Sequence, residues 1–143
     1  RALGVSNFPS AQFREAASIA PIVCNQVEYH AYLAQPQVLT AARESHAFVT
    51  AYSPLAVGRI HGDPILREIG ARHGKTEEQV ALRWLIQQPA VAAIPKAASR
   101  QHVKQNLEIF DFTLSEEEMK RIHGLARGER GTDPSYAPAW DDE

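Results

Sequence analysis

Short apolar runs alternate with amphipathic segments of helical period along nearly the whole chain. Ala2-Leu3-Gly4-Val5 opens as a strand and leads into Ser6-Asn7-Phe8-Pro9. Ser10 is then placed to cap a helix through Ala20, with Phe13, Ala16, Ala17 and Ala20 on one face. Residues 22–29 form a second predicted strand, and Gln35-Pro36 opens a helix that turns Val38, Leu39 and Ala42 inward. A third strand covers 47–53; Pro54 ends it, and a loop passes through Gly58 and Gly62. Two helices follow. Asp63-Pro64 starts one that stops at His73-Gly74, and the capping box Thr76-Glu77-Glu78-Gln79 starts another, carrying Val80, Leu82, Trp84, Leu85 and Ile86 up to Pro89. Residues 90–94 are a fourth strand, and a helix from Ser99 is expected to point Val103 and Leu107 inward. A second capping box, Ser115-Glu116-Glu117-Glu118, opens a last helix with Leu114 as its staple and Met119 and Ile122 as its stripe. Beyond Arg127 the chain is broken by Gly128, Gly131, Pro134 and Pro138, and Tyr136 and Trp140 are expected to lie against the body.

Strands alternating with helices predict an α/β fold with a parallel sheet. A doubly wound sheet would carry a glycine-rich phosphate loop after its first strand, and no strand here ends that way. Instead a polar cluster closes each strand: Ser6-Asn7, Asn25-Gln26 with Glu28, Tyr52-Ser53, and Lys96. In a (β/α)8 TIM barrel these ends meet at one mouth, and four strand-helix units account for half of the roughly 250 residues such a barrel needs. The expectation is one partial domain over 1–143, made of strand-helix units (1–112), an extra helix (113–126) and a tail (127–143). The start at Arg1, directly ahead of a strand, adds the expectation of a fragment or a separated domain.

The 143 residues include 15 Lys and Arg against 17 Asp and Glu, a formal charge of -2, and no long basic run. This argues against a general nucleic-acid binder while leaving room for a local anion site. Cys24, alone, has no internal disulfide partner and is expected to be buried; with no signal peptide or spanning segment, a cytoplasmic location is expected and no membrane partner. The six histidines form no metal cluster at helical or strand spacing, so no metal is expected.

Gly4-Val5-Ser6-Asn7-Phe8, Asn25-Gln26-Val27-Glu28-Tyr29-His30, Ala51-Tyr52-Ser53-Pro54-Leu55 and Ile94-Pro95-Lys96, in this order and spacing, resemble the second half of the aldo-keto reductase barrel. The ending Ala137-Pro138-Ala139-Trp140-Asp141 is similar to bacterial members of the 2,5-diketo-D-gluconate reductase type. The resemblance implies NADPH, with NADH as an alternative, and reduction of small aldehydes, ketones or diketo sugars by hydride transfer. It also implies a complete enzyme that is a monomer. The family's catalytic Asp, Tyr, Lys and His belong to the other half of the barrel. Tyr29 and Lys96 do not replace them, because Tyr29 and His30 point to opposite faces while both remain in a strand. No catalytic residue is assigned.

The same resemblance implies a role for each matched position. Ser6, Asn7 and Gln26 match groups that hydrogen-bond the nicotinamide carboxamide; read without the motif, Asn7 is a turn residue. Tyr52 matches the aromatic stacked on the nicotinamide, with a core tyrosine as the plainer reading. Ser53 and Leu55 match the segment wrapping the pyrophosphate, and Lys96 matches the lysine at the 2′-phosphate. Ser99 and Arg100 follow at a helix N-terminus that favours an anion. Ala97 and His102 depart from a frequent hydroxyl residue and arginine, and a neutral imidazole is the weaker phosphate partner. Gln105 and Asn106 match positions near the adenine, although Gln105 also suits a plain helix surface. Trp140 either lines the substrate mouth or packs on the barrel. The rival reading is a non-enzymatic half-barrel that binds a dinucleotide or self-associates through open sheet edges.

Overall fold

A computed structural model describes residues 1–141; positions 142 and 143 of the expected tail lie outside the described residues. The strands are β1 (Leu3–Ser6), β2 (Ile22–Glu28), β3 (Phe48–Tyr52) and β4 (Val91–Ala93). All neighbours are parallel and the sheet order is β1-β2-β3-β4, so each strand lies beside its predecessor. The helices are α1 (Ser10–Ile19), α2 (Pro36–Glu44), α3 (Pro64–His73), α4 (Glu77–Ile86), α5 (Arg100–Leu107) and α6 (Glu116–His123), with a 3-10 turn at Ala56–Gly58.

Register sorts the strand residues into two rows. Ser6, Gln26 and Thr50 pair across the sheet, as do Glu28 and Tyr52, and these share one face. Val5, Asn25 and Val49 pair on the other face, together with Val27 and Ala51. The second face carries the core: Val27, Val49 and Ala51 are buried in one cluster with Phe13, Val38, Leu66, Ile69, Trp84 and Leu85. Asn25, also fully buried there, is satisfied by the Phe8 carbonyl, to which its Nδ2 donates at 2.8 Å.

The helix ends follow their local chemistry. Asp63 accepts from the N–H groups of Ile65 and Leu66, Gly74 closes α3 in the left-handed conformation, and Thr76 and Ser115 both complete capping boxes. Ser10 differs from expectation. It is the first residue of α1 after Pro9, and it donates from its N–H and its Oγ, each at 2.8 Å, to the Asp141 carboxylate at the far end of the chain. A distant acid therefore caps α1.

Three burial expectations are corrected. Val103 and Leu107 are 48% and 64% exposed; they face an apolar hollow with Leu82, Ile86 and Phe110 that nothing among the described residues covers. Tyr136 is 87% exposed, while Trp140 is half-buried, with its Nε1 bonded to Asp133 and the Arg130 guanidinium over its ring. Cys24 is half-buried, with Sγ 3.2 Å from Thr50 Oγ1.

Glu118 joins local and long-range order: it accepts from Ser115 N–H in the capping box and from His73 Nε2 at 3.1 Å. Burial pushes its carboxyl up, but Ser115 and His73 outweigh that and hold it below the usual carboxylate range. Glu118→Ala should cost about 1–2 kcal/mol, seen as a lower urea midpoint at unchanged slope. A carboxyl held low contributes at neutral pH and loses its contribution as pH falls through the lowered value. The difference between wild type and variant should therefore shrink on acidification.

Candidate functional site

The polar row reaches the carboxyl edge of the sheet, where β1, β2 and β3 end side by side. Ser6 Oγ donates to the Gln26 carbonyl at 3.0 Å, and Asn7 N–H donates to the same oxygen at 2.9 Å. Asn7 adopts a left-handed backbone (φ 57°), which asparagine tolerates, and this turns its side chain toward β3. There Tyr52 Oη donates to Asn7 Oδ1 at 3.0 Å. Ser6, Asn7, Gln26 and Tyr52 are thus brought together from three strands. The bond from Tyr52 leaves the Asn7 Nδ2 as a donor; with the Gln26 amide and the Ser6 oxygen lone pairs, this set complements a carboxamide.

Directly after β3 the chain passes through Ser53, Ala56 and Val57, all at positive φ, a strained run around Leu55 and the 3-10 turn. It leads to a second cleft of about 420 Å³ lined by Leu55, Lys96, His102, Gln105 and Asn106. Among the described residues no ion pair engages Lys96 or His102. Ser99 spends its hydroxyl on α5, accepting from His102 N–H at 3.1 Å. Arg100 lines a different hollow, beside Val103, Lys104 and Leu107.

Sequence reasoning missed several residues. His61, Thr76, Glu78 and Gln79 complete the second cleft. Gln79 was visible only as a capping-box partner, yet its Nε2 also donates to the Gln105 and Glu108 carbonyls at 3.1 and 3.3 Å, and so sets α5 against α4. Donor atoms of His61, Glu77 and Glu78 come within 4.8 Å of one another. Within and beside this group, Arg67 Nε lies 3.0 Å from Glu77 and His61 Nδ1 lies 3.2 Å from Glu78.

Glu28 and His30, beside the first cluster, are fully buried. Burial pushes the Glu28 carboxyl up, but hydrogen bonds from His30 and from the Thr132 and Gly131 N–H groups bring it below the ordinary value. Tyr29 is pushed up to about 12 by burial, partly offset by its bond to Gln88, and packs edge-on to Trp84 at 5.3 Å. It is a core tyrosine turned away from Asn7.

The model of the aldo/keto reductase family matches residues 1–127, and the chain belongs to that family. It is 39% identical to aldo-keto reductase family 1 member A1-A of Danio rerio, over 91% of this chain and 44% of that protein. It is 38% identical to the glyoxal reductase of Bacillus subtilis (strain 168), over 91% of this chain and 48% of that one. Among solved structures, a protein described as a candidate 2,5-diketo-D-gluconic acid reductase B superposes with a TM-score of 0.95 at 48% identity, covering 99% of this chain and 52% of that chain. The fold is therefore that of the aldo-keto reductase TIM barrel, and the chain spans about half the length of the relatives it matches.

The strain after β3 is measurable. Val57 is β-branched, left-handed (φ 55°, ψ 37°) and 80% exposed, so replacing it removes little packing. Val57→Asn should stabilise the protein by about 1 kcal/mol, read as a thermal midpoint a few degrees higher.

Proposed function

We propose that this chain is the NADPH-binding side of a carbonyl reductase that transfers hydride to small aldehydes, ketones or diketo sugars. One observation carries the reading: Ser6, Asn7, Gln26 and Tyr52 converge from adjacent parallel strands, with Tyr52 bonded to Asn7. Bound NADPH would supply the hydride. Ser6, Asn7 and Gln26 would hold the carboxamide, and Tyr52 would offer a flat ring to the nicotinamide. Ser53 and Leu55 would follow the pyrophosphate, and Lys96 with His102 would receive the 2′-phosphate; Ser99 would serve by capping α5 beside that cleft, while Arg100, which lines another hollow, is left out of it. Gln105 and Asn106 would lie at the adenine. NADH would lose the Lys96 contact and bind more weakly.

The names of the relatives support this substrate class, since both glyoxal and 2,5-diketo-D-gluconic acid are small dicarbonyls. None of the residues described here is assigned as the proton donor, so the chain by itself should bind the cofactor without turnover. Among the described residues no helix is long and apolar enough to cross a membrane. The proposal further takes the complete enzyme to be a cytoplasmic monomer acting on a small molecule.

A second reading, a self-associating half-barrel, is favoured by the exposure of Leu3 on β1 and of Ile94 directly after β4, the two edge strands of the sheet among the described residues. The two readings separate in one titration. With the first, NADPH fluorescence saturates, and Lys96→Ala weakens NADPH at least tenfold while leaving NADH nearly unchanged; Tyr52→Ala weakens both. Sedimentation of the same sample tests the second reading, which expects dimers or larger species with no saturable cofactor signal.

A further inference from the structure

Glu28 is a buried carboxylate on the same face of the sheet as Gln26 and Tyr52, yet all of its bonds run to the tail and to His30. Gly131 N–H donates to both carboxylate oxygens at 3.0 Å, and Thr132 N–H donates to Oε2 at 2.8 Å. His30 Nδ1 accepts from Tyr32 N–H at 3.3 Å, leaving the ring proton on Nε2, 3.1 Å from Glu28 Oε1. The far end of the same segment is tied down by Asp141 on Ser10, at 2.8 Å through both oxygens. Between the two ties, Trp140 Nε1 donates to Asp133 at 2.8 Å, and the Arg130 guanidinium lies 3.9 Å above the indole. The result is an arch over residues 131–141. Its inner side and Ser6, Asn7 and Phe8 enclose a cleft of about 420 Å³.

We infer that Glu28 is a positioning residue: its buried carboxylate seats the 131–141 arch and thereby sets the wall of the cleft above Asn7. The seat itself rests on the geometry alone; its effect on a bound nicotinamide rests on the reading of Asn7 proposed above. A carboxylate suits this task because two successive backbone N–H groups of an irregular segment present donors that a single anion satisfies together. Gly131 shows how close the fit is, since a Cβ added there would lie 2.9 Å from Glu28 Oε1.

Two variants test this from opposite sides. Glu28→Gln changes the seat, and Gly131→Ala pushes the tail off it without touching the core, so the second keeps the test valid if the first folds poorly. Amide exchange should accelerate at least tenfold across 131–141 in both, with β2 and β3 unchanged. With NADPH bound, its affinity should stay within twofold, while acrylamide quenching of the bound nicotinamide fluorescence rises severalfold. Unchanged exchange in Gly131→Ala overturns the seat. Faster exchange with unchanged quenching overturns the positioning of the cleft wall. Failure of wild type to bind NADPH overturns the nicotinamide consequence and the proposed function together, and exchange alone still decides whether Glu28 seats the arch.

Discussion

The period-two alternation of a parallel sheet covered on one face organises the molecule. The row containing Val5, Asn25, Val27, Val49 and Ala51 turns to the helices and supplies the core. The opposite row turns away from the helices, and it holds Ser6, Gln26, Tyr52 and Glu28, the last buried under the tail. Because the strands are parallel and each lies beside its predecessor, all of these polar ends reach the same edge. A slip of one residue in β2 would exchange Gln26 for Asn25 and move the site into the core. The apolar row thus places the polar one.

Where neighbours in sequence set the structure, the elements were legible from the residues. Asp63, Gly74, Thr76 and Ser115 act within one helical turn of themselves, and each holds its expected position. The strands were found to within two residues, and the polar clusters closing the first three pointed to the convergence of Ser6, Asn7, Gln26 and Tyr52. What failed depends on distance along the chain. Val103 and Leu107 have the spacing of a buried stripe, but spacing says nothing of whether a partner surface exists, and here none of the described residues covers them. Ser10 was read as its own cap, whereas its partner is Asp141, 131 positions away. Glu28 stood out only as one polar residue in a strand-end cluster; the backbone donors that satisfy it lie 103 and 104 positions on. Likewise the link from Gln79 to α5 has no local signature.

The tail shows why directional polar ties, more than apolar burial, hold an irregular segment. Hydrophobic contact is non-directional, so a Gly- and Pro-interrupted chain with no ladder would slide over an apolar surface without a preferred register. A buried carboxylate with two N–H donors fixes position and orientation at once. Desolvation of Glu28 opposes its charge, and the donors from His30, Gly131 and Thr132 more than offset it. Tyr136 contributes no such tie and stays in solvent. The two walls of the Asn7 cleft therefore differ in kind. Ser6 and Asn7 close a strand that is paired along its length with β2. The arch depends on a few directional bonds at its two ends. The Asn7 cleft thus has a floor set by the sheet and a wall held by a small number of separable contacts.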